Sequence, residues 1–446
     1  MSEWKKVKIG EFLTEREGRF KPDDKRISKY QRLDKIDFSG NIHLSNKPTK
    51  TDMILVQPGD LVISGINVAK GAITVYQGDK PVCATIHYSS YTFDSSKVDL
   101  DYFKFFVKSA AFIAAMQKQV KGGIKTEIKP KHLLALEISI PDLGTQKKIV
   151  KEISSQLEKT EQLSSEIEKQ KSYAKQLRQN ILQEAIEGKL TADWRKQHPV
   201  QKGNPDYDAE ALFEKIQTEK QKKGKKQKPL PAITEAEKPF AIPSDWKWVR
   251  LGEICFNIEG GKSILCKEIV PNKNEIGIVK TGVCSFGYFK EDECKTCLSP
   301  KDWHDEYAIH KGDFLIGRAN TLELVGSCVI VDKIERKLML SDKILRINFD
   351  EMISSDFILC EMKSKYVREQ IERSATGSSP TMKNISQESI KNYSLPLPPL
   401  AEQKEIVARV EKHLQTITQL ETQIATRETT TKQLMQSILK DAFEEV

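Results

Sequence analysis

The residues best equipped for chemistry are four soft ligands in the second half of the chain: Cys284, Cys294, Cys297 and His304. Cys294-x-x-Cys297 has the spacing of a metal-binding pair, and zinc takes about four sulfur or imidazole ligands. The first half has no counterpart to this group, so free, partly buried thiols are the expectation and a structural zinc the weaker alternative. Gly260-Gly261-Lys262-Ser263 ends like a phosphate-cradling loop, but the glycine required five residues before Gly261 is Phe256. Asn204-Pro205-Asp206-Tyr207 comes near the Asn-Pro-Pro-Tyr of an amino-group methyltransferase, lacks its second proline and reads as a turn. Seven scattered histidines support no Ser/His/Asp or Cys/His triad. No catalytic residue is expected in this chain.

The elements that would position any site are written twice. Trp4-Lys5-Lys6-Val7-Lys8-Ile9-Gly10-Glu11 returns as Trp246-Lys247-Trp248-Val249-Arg250-Leu251-Gly252-Glu253, an offset of 242. Gly59-Asp60-Leu61-Val62-Ile63 returns as Gly312-Asp313-Phe314-Leu315-Ile316 at 253, and Gln146-Lys147-Lys148-Ile149-Val150 as Gln403-Lys404-Glu405-Ile406-Val407 at 257. An internal repeat sets the architecture before any motif does. Each half is a variable globular part followed by a segment whose length is fixed.

Those fixed segments, 145–187 and 402–444, contain no Gly or Pro. Steps of seven pick out Ile153, Thr160, Ile167, Ala174 and Ile181, then Val410, Ile417, Ile424, Thr431 and Ile438. A second row three residues on alternates Leu163 and Leu177 with Gln156, Gln170 and Glu184, and Leu420 and Leu434 with His413, Arg427 and Asp441. Five heptads predict long helices that pair with each other along a half-polar seam. At about 1.5 Å per residue each is roughly 65 Å long. The proline-stopped runs Ile138-Ser139-Ile140-Pro141 and Leu395-Pro396-Leu397-Pro398 close the globular parts, and Gly188 is the expected end of the first helix.

Between the halves, residues 189–244 read as a linker with the basic run Lys220-Gln221-Lys222-Lys223-Gly224-Lys225-Lys226-Gln227-Lys228 and Pro229, Pro231, Pro239 and Pro243. A solvated run is the ordinary reading, phosphate contact the sharper one. In the globular parts, 82–86 and 325–331 look like strands, 102–116 and 357–371 like helices. Gly-containing polar loops fall at 64–71, 121–126, 317–326 and 376–384.

Composition narrows the class. The 446 residues are 38% hydrophobic and 30% charged, and 71 Lys and Arg against 63 Asp and Glu leave +8, a mild surplus compatible with a polyanion. No apolar run of about 18 residues is present. The N-terminal string Met1-Ser2-Glu3-Trp4-Lys5-Lys6 lacks a secretory apolar stretch, and eight cysteines, one before residue 250, are too uneven for a disulfide framework. A cytoplasmic location is expected.

The chain resembles a specificity subunit of a type I restriction–modification system over nearly its whole length. The resemblance rests on the two start strings, Pro58-Gly59-Asp60 and Lys311-Gly312-Asp313, Thr376-Gly377-Ser378 with Lys383-Asn384-Ile385, and Leu397-Pro398-Pro399-Leu400-Ala401-Glu402-Gln403-Lys404-Glu405-Ile406-Val407. The first half departs from it, with Pro141-Asp142-Leu143-Gly144 for the Pro-Pro-Leu-Ala string and Gly122-Gly123-Ile124 opposite Gly377-Ser378-Ser379.

The resemblance implies an α+β fold with a pseudo-twofold repeat: two mixed α/β target-recognition domains, 1–143 and 245–400, separated by antiparallel coiled-coil helices, 144–188 and 401–446, with 189–244 as linker. It implies a non-catalytic subunit whose domains each read half of a gapped, asymmetric DNA site. Base edges set specificity and phosphate contacts set position. The candidate contacts are Asn67, Lys70, Lys121, Lys125 and Thr126 in the first domain, and Arg318, Asn320, Thr376, Ser378, Lys383 and Asn384 in the second. Outward-facing Gln146, Leu157, Gln403 and Leu414 are candidates for docking two methyltransferase subunits, with two restriction subunits as further partners. The chain itself needs no cofactor. The complex is expected to use S-adenosylmethionine, with ATP and magnesium where a restriction subunit joins. The competing reading is a coiled-coil scaffold without nucleic-acid affinity; an enzyme whose site escapes motif search is a third.

Overall fold

A computed structural model of the chain describes residues 4–38, 40–67, 72–109, 112, 114, 130–223, 229–379 and 381–444. It divides into two units, one of residues 1–170 with 423–446 and one of residues 171–422.

In the first unit the start string and the proline-stopped run are partners. Strand Lys5–Lys8 pairs antiparallel with Glu137–Ile140, Lys5 opposite Ile140. Two four-stranded sheets carry the rest: Leu13–Glu15, Tyr88–Phe93, Leu61–Ser64 and Ile73–Val75 in that order, and Ile42–Ser45, Arg32–Ile36, Val82–Thr85 and Met53–Val56. Leu61–Ser64 is buried on both faces, which explains its unbroken apolar run. Helix Leu100–Phe106, capped by Asp99, drives Tyr102, Phe103 and Phe106 into the main core. The expected helix 102–116 therefore begins earlier, and most of its second half lies outside the described residues.

The second unit repeats the start-string pair and the first of these sheets, while its other sheet is ordered differently. Lys247–Arg250 pairs with Ser394–Leu397, Lys247 opposite Leu397. Pro396 is tolerated because, among the described residues, its strand has only that neighbour. The larger sheets run Asn257–Gly260, Ile344–Asn348, Phe314–Gly317, Cys328–Ile330 and Cys266–Lys267, Cys294–Cys297, Ile276–Val279, Lys337–Met339. The helix expected over 357–371 is broken in two, Ser355–Lys363 and Lys365–Ser374. Ser364 takes an extended backbone and its hydroxyl accepts from Val367 N–H, so a side-chain cap starts a second helix where apolar pattern alone shows one.

The long helices are Leu143–Ile186 and Leu400–Glu444. The first ends at Gly188, whose φ of +72° closes the last turn as the left-handed residue. In the first unit the two helices pack antiparallel, since Ile153 and Ile438 join one core and Phe443 stands edge-on to Tyr102 and Phe106. In the second unit Arg178 reaches Glu421 at 3.0 Å. All ten residues of the first heptad row are buried.

The second row differs from expectation. Leu163, Leu177, Leu420 and Leu434 are exposed, and the inward positions lie four residues after the first row, at Leu157, Lys171, Arg178 and Ala185 and at Leu414, Glu421, Glu428 and Met435. A seven-residue repeat admits flanks at three or four, and charged side chains with long apolar stems cover a seam here while leucines face away.

The connector is structured. Asp208 caps helix Ala209–Lys222, which buries Leu212 and Ile216. Lys220 is buried too, donating to the carbonyls of Gly252 at 2.7 Å and Glu253 at 3.0 Å. Solvation of the whole basic run is thus corrected at its first residue; residues 224–228 lie outside the described ones.

Candidate nucleic-acid interface

A repeated turn fixes the strand that leads into each polar loop. Gly59 and Gly312 sit at φ +87° and +93°, conformations that side-chain-bearing residues rarely adopt. The aspartates after them face a guanidinium. Arg16 meets Asp60 through Nε and Nη2, each at 2.7 Å, and Ser90 Oγ adds a bond at 2.8 Å. Those bonds to Asp60 raise the Arg16 pKa against the opposing effect of burial. In the second domain Arg346 donates to Asp313 at 3.0 Å, to Glu259 at 3.0 and 2.7 Å, and to the carbonyls of Ala308 and Glu306.

The loops themselves converge in the second domain. Ala319–Asn320 pairs with Lys383–Asn384, Asn320 opposite Lys383, and Thr376 bridges Asn384. Arg318 receives a backbone bond from Ile385 N–H at 2.9 Å. Lys383 Nζ donates to Gly377 O at 2.6 Å, and Asn320 Nδ2 to Ser285 Oγ at 3.3 Å. Five of the six expected residues thus share one hydrogen-bonded patch. Ser378 sits exposed in the turn between Thr376 and Lys383. The patch combines two cations, two carboxamides and a hydroxyl, groups that hydrogen-bond phosphate oxygens and base edges.

In the first domain Asn67 occupies the position equivalent to Asn320, 253 residues earlier, and its backbone closes the loop to Ser64 O at 3.1 Å. Lys70, Lys121, Lys125 and Thr126 lie outside the described residues.

The thiols and His304 do not assemble into a site. Among the described residues no three His, Cys, Asp or Glu side chains come together as metal ligands. Cys284 and Cys294 lie in one apolar cluster while Cys297 belongs to another. Strand residues three apart point to opposite faces, so Cys294-x-x-Cys297 cannot close on one ion from a regular strand. Burial pushes the Cys294 thiol up to about 11 and holds Cys284 well above its ordinary value.

The expected outward position of two helix residues is corrected. Gln146 and Gln403 are 0% exposed. Gln146 accepts from Asp99 N–H at 2.7 Å and donates to Pro141 O at 2.9 Å; Gln403 accepts from Ser354 N–H at 2.9 Å and donates to Pro398 O at 2.9 Å. Each clamps a long helix to the residue that caps another helix of its domain, Asp99 before Leu100–Phe106 and Ser354 before Ser355–Lys363. Leu157 and Leu414 are half-buried. Exposed on the long helices instead are Tyr173 and the leucine pairs Leu163 and Leu420, Leu177 and Leu434. Their equal offset in the two copies was the available signal.

Comparison with known proteins agrees with this arrangement. The family described as "Type I restriction modification DNA specificity domain" matches residues 1–170 and 243–427. The chain is 34% identical over 269 residues to the type I restriction enzyme EcoEI specificity subunit of Escherichia coli, covering 60% of this chain and 45% of that protein. This alignment and a second one each span less than half of the curated relative concerned. In fold, the chain resembles the HsdS subunit from Thermoanaerobacter tengcongensis, with a TM-score of 0.53, 16% identity and coverage of 99% and 97%. It also resembles a chain from a structure concerned with complex assembly and conformational transition of the type I R-M system, with a TM-score of 0.63, 17% identity and coverage of 99% and 98%.

Proposed function

The chain belongs to the type I restriction–modification DNA specificity family, and from that premise we propose that it is the non-catalytic sequence-recognition subunit of such a complex. Each globular domain reads one half of a gapped site. The two domains differ in loop sequence, so the site is asymmetric. The long helices fix the spacing and present Leu163 and Leu177, and in the second copy Leu420 and Leu434, to two copies of a methyltransferase subunit. Like surfaces offered twice suit identical partners.

In the second domain Arg318 and Lys383 meet phosphates and position the domain, while Asn320, Asn384, Thr376 and Ser378 address base edges. A carboxamide matches adenine N6 and N7 in the major groove. In the first domain Asn67, Lys70, Lys121, Lys125 and Thr126 take these parts. The methyltransferase partners bring S-adenosylmethionine; a restriction subunit, with ATP and magnesium, completes the complex where it is present. The setting is cytoplasmic, in defence against foreign DNA. No helix among the described residues is long and apolar enough to cross a membrane.

The observation that carries this reading is the duplication of the start-string strand pair and of one four-stranded sheet, each copy ending in a long helix clamped by a glutamine. The chain, co-expressed with a methyltransferase subunit, is expected to direct adenine methylation to a gapped asymmetric motif mapped by single-molecule sequencing. Exchanging residues 1–143 for another first domain changes one half-site only. Absence of partner-dependent methylation, with DNA binding insensitive to salt, would favour the scaffold reading.

A further inference from the structure

We propose that Cys266 and Cys297 form a reversible thiol–disulfide modification site at the edge of the second domain, oxidised by small disulfides such as oxidised glutathione. The two residues face each other across antiparallel strands, Cys266 directly opposite Cys297, with their sulfurs 3.8 Å apart. Directly opposed residues in an antiparallel pair have Cα atoms roughly 4.5–5.5 Å apart, within the roughly 4.4–6.8 Å that a disulfide spans. Closing the bond therefore needs side-chain rotation and little backbone movement.

The surroundings make the pair selective. Cys83, Cys255, Cys284, Cys294 and Cys328 are buried, and burial pushes the thiol of the half-buried Cys360 up to about 12. Cys266 is half-buried, while Cys297 lies beneath it in the apolar cluster of Ile278 and Met339. Burial, and then the neighbouring Cys266 sulfur, pushes the Cys297 thiol up to about 12. Oxidation therefore enters at Cys266, because the thiolate is the attacking species and access limits it. The Cys266 thiolate attacks one sulfur of oxidised glutathione and expels a glutathione thiolate, leaving a mixed disulfide. That thiolate takes the Cys297 proton, Cys297 attacks the Cys266 sulfur, and the second glutathione departs. Two protein thiols are oxidised and one glutathione disulfide is reduced to two thiols.

The bond would act on a weak element. Strand Cys266–Lys267 is an edge strand held to Cys294–Cys297 over two residue pairs. The neighbouring Leu265 is 77% exposed and Leu298 49% exposed. A covalent tie under these side chains reinforces a short edge held by two residue pairs and by the Thr296 bonds to Ile269 O, and reduction removes it.

The full chain is equilibrated in graded mixtures of reduced and oxidised glutathione, alkylated, and measured by intact mass, peptide mapping and hydrogen exchange. The expected result is loss of two of the eight free thiols, a peptide cross-linked between positions 266 and 297, and exchange at these strands slowed about tenfold. The C297S variant stops with one glutathione on Cys266, and C266S takes up none at this strand. A wild-type adduct on Cys266 that never closes, a bridge elsewhere, or equal oxidation of C266S overturns the proposal. The readout is mass and exchange, so it stands or falls independently of DNA recognition.

Discussion

Asp60 and Asp313 hold equivalent places in the two domains, yet they draw their guanidinium from different strands. In the first domain the cation is Arg16 and the residue opposite it on the neighbouring strand is Ser90; in the second the corresponding pair is Glu259 and Arg346. The carboxylate after the glycine turn needs a partner, and either neighbouring strand supplies it. The second solution is the more buried one. Arg346 serves two carboxylates and two carbonyls with 11% of its side chain exposed, against 28% for Arg16.

The helix entrances differ in the same spirit. Both use a buried glutamine as a clamp. The first adds Asp142, whose carboxylate accepts from Gly144 and Thr145 N–H and from the Thr145 hydroxyl. The second has Pro399 at that place and Glu402 where Thr145 stands. Glu402 is fully buried and accepts from Thr191, Arg195 and Trp246, joining the second helix to the end of the first and to the second start string. Burial nevertheless raises its pKa against these bonds. A third contrast is Glu361, which aligns with Phe106 when the capping residues Ser354 and Asp99 are superposed. Phe106 fills the core, whereas both oxygens of Glu361 are buried without a hydrogen-bond partner among the described residues.

Substitutions separate these solutions. Arg346→Ala strands Glu259 and Asp313 and is expected to destabilise the second domain by about 3–5 kcal/mol. Arg16→Ala, more solvated, should cost the first about 1–2 kcal/mol; domain-resolved hydrogen exchange measures both, and equal losses would erase the distinction. Glu402→Ala should loosen the second entrance by about 2–3 kcal/mol, seen as faster proteolysis near residue 191, while Thr145→Ala stays below about 1 kcal/mol. Gln146→Ala and Gln403→Ala remove the same two bonds in each half and are expected to cost equally, about 1–2 kcal/mol, in denaturant titrations. Glu361→Leu should stabilise the second domain at neutral pH by about 1 kcal/mol.

The pH dependence has a worked sign. Burial raises the Glu361 pKa far above its ordinary value, so folding takes up a proton there and stability declines as pH rises above about 4.5. Glu237 behaves oppositely. Its bonds to Arg250 lower its pKa to about 2 from 4.5, so its contribution is present above about pH 4.5 and fades as pH falls toward 2. The equivalent of Arg250 in the first domain is Lys8; the backbone N–H of each donates to the glutamate three residues on, Glu253 and Glu11, and Arg250 adds the side-chain bonds to Glu237. Acid should therefore release the 229–243 segment by exchange measurements without a matching change near Lys8; this is the smallest effect.

The repeat, the long helices and their first heptad row were legible because equal spacing survives where identity does not. The second row was not, since a heptad list leaves the choice between flanks at three and four residues to packing. Gln146 and Gln403 were found by their repetition and misplaced to the surface, because a glutamine's burial depends on the backbone groups that meet it. The second-domain loop residues converge as a ladder of two residue pairs, too short to leave a strand pattern in sequence. Ser364, which splits an apparently continuous helix, acts through one hydroxyl.

The first unit is not contiguous in the chain, whereas the second is. Phe443 stands in the core that Tyr102 and Phe106 build, more than 300 positions earlier. A ribosome therefore releases the first domain with a hole in it, and the second can finish first although it is made later. A nonsense mutation after position 422 would spare the sequence of both domains and still strike at the one translated long before it.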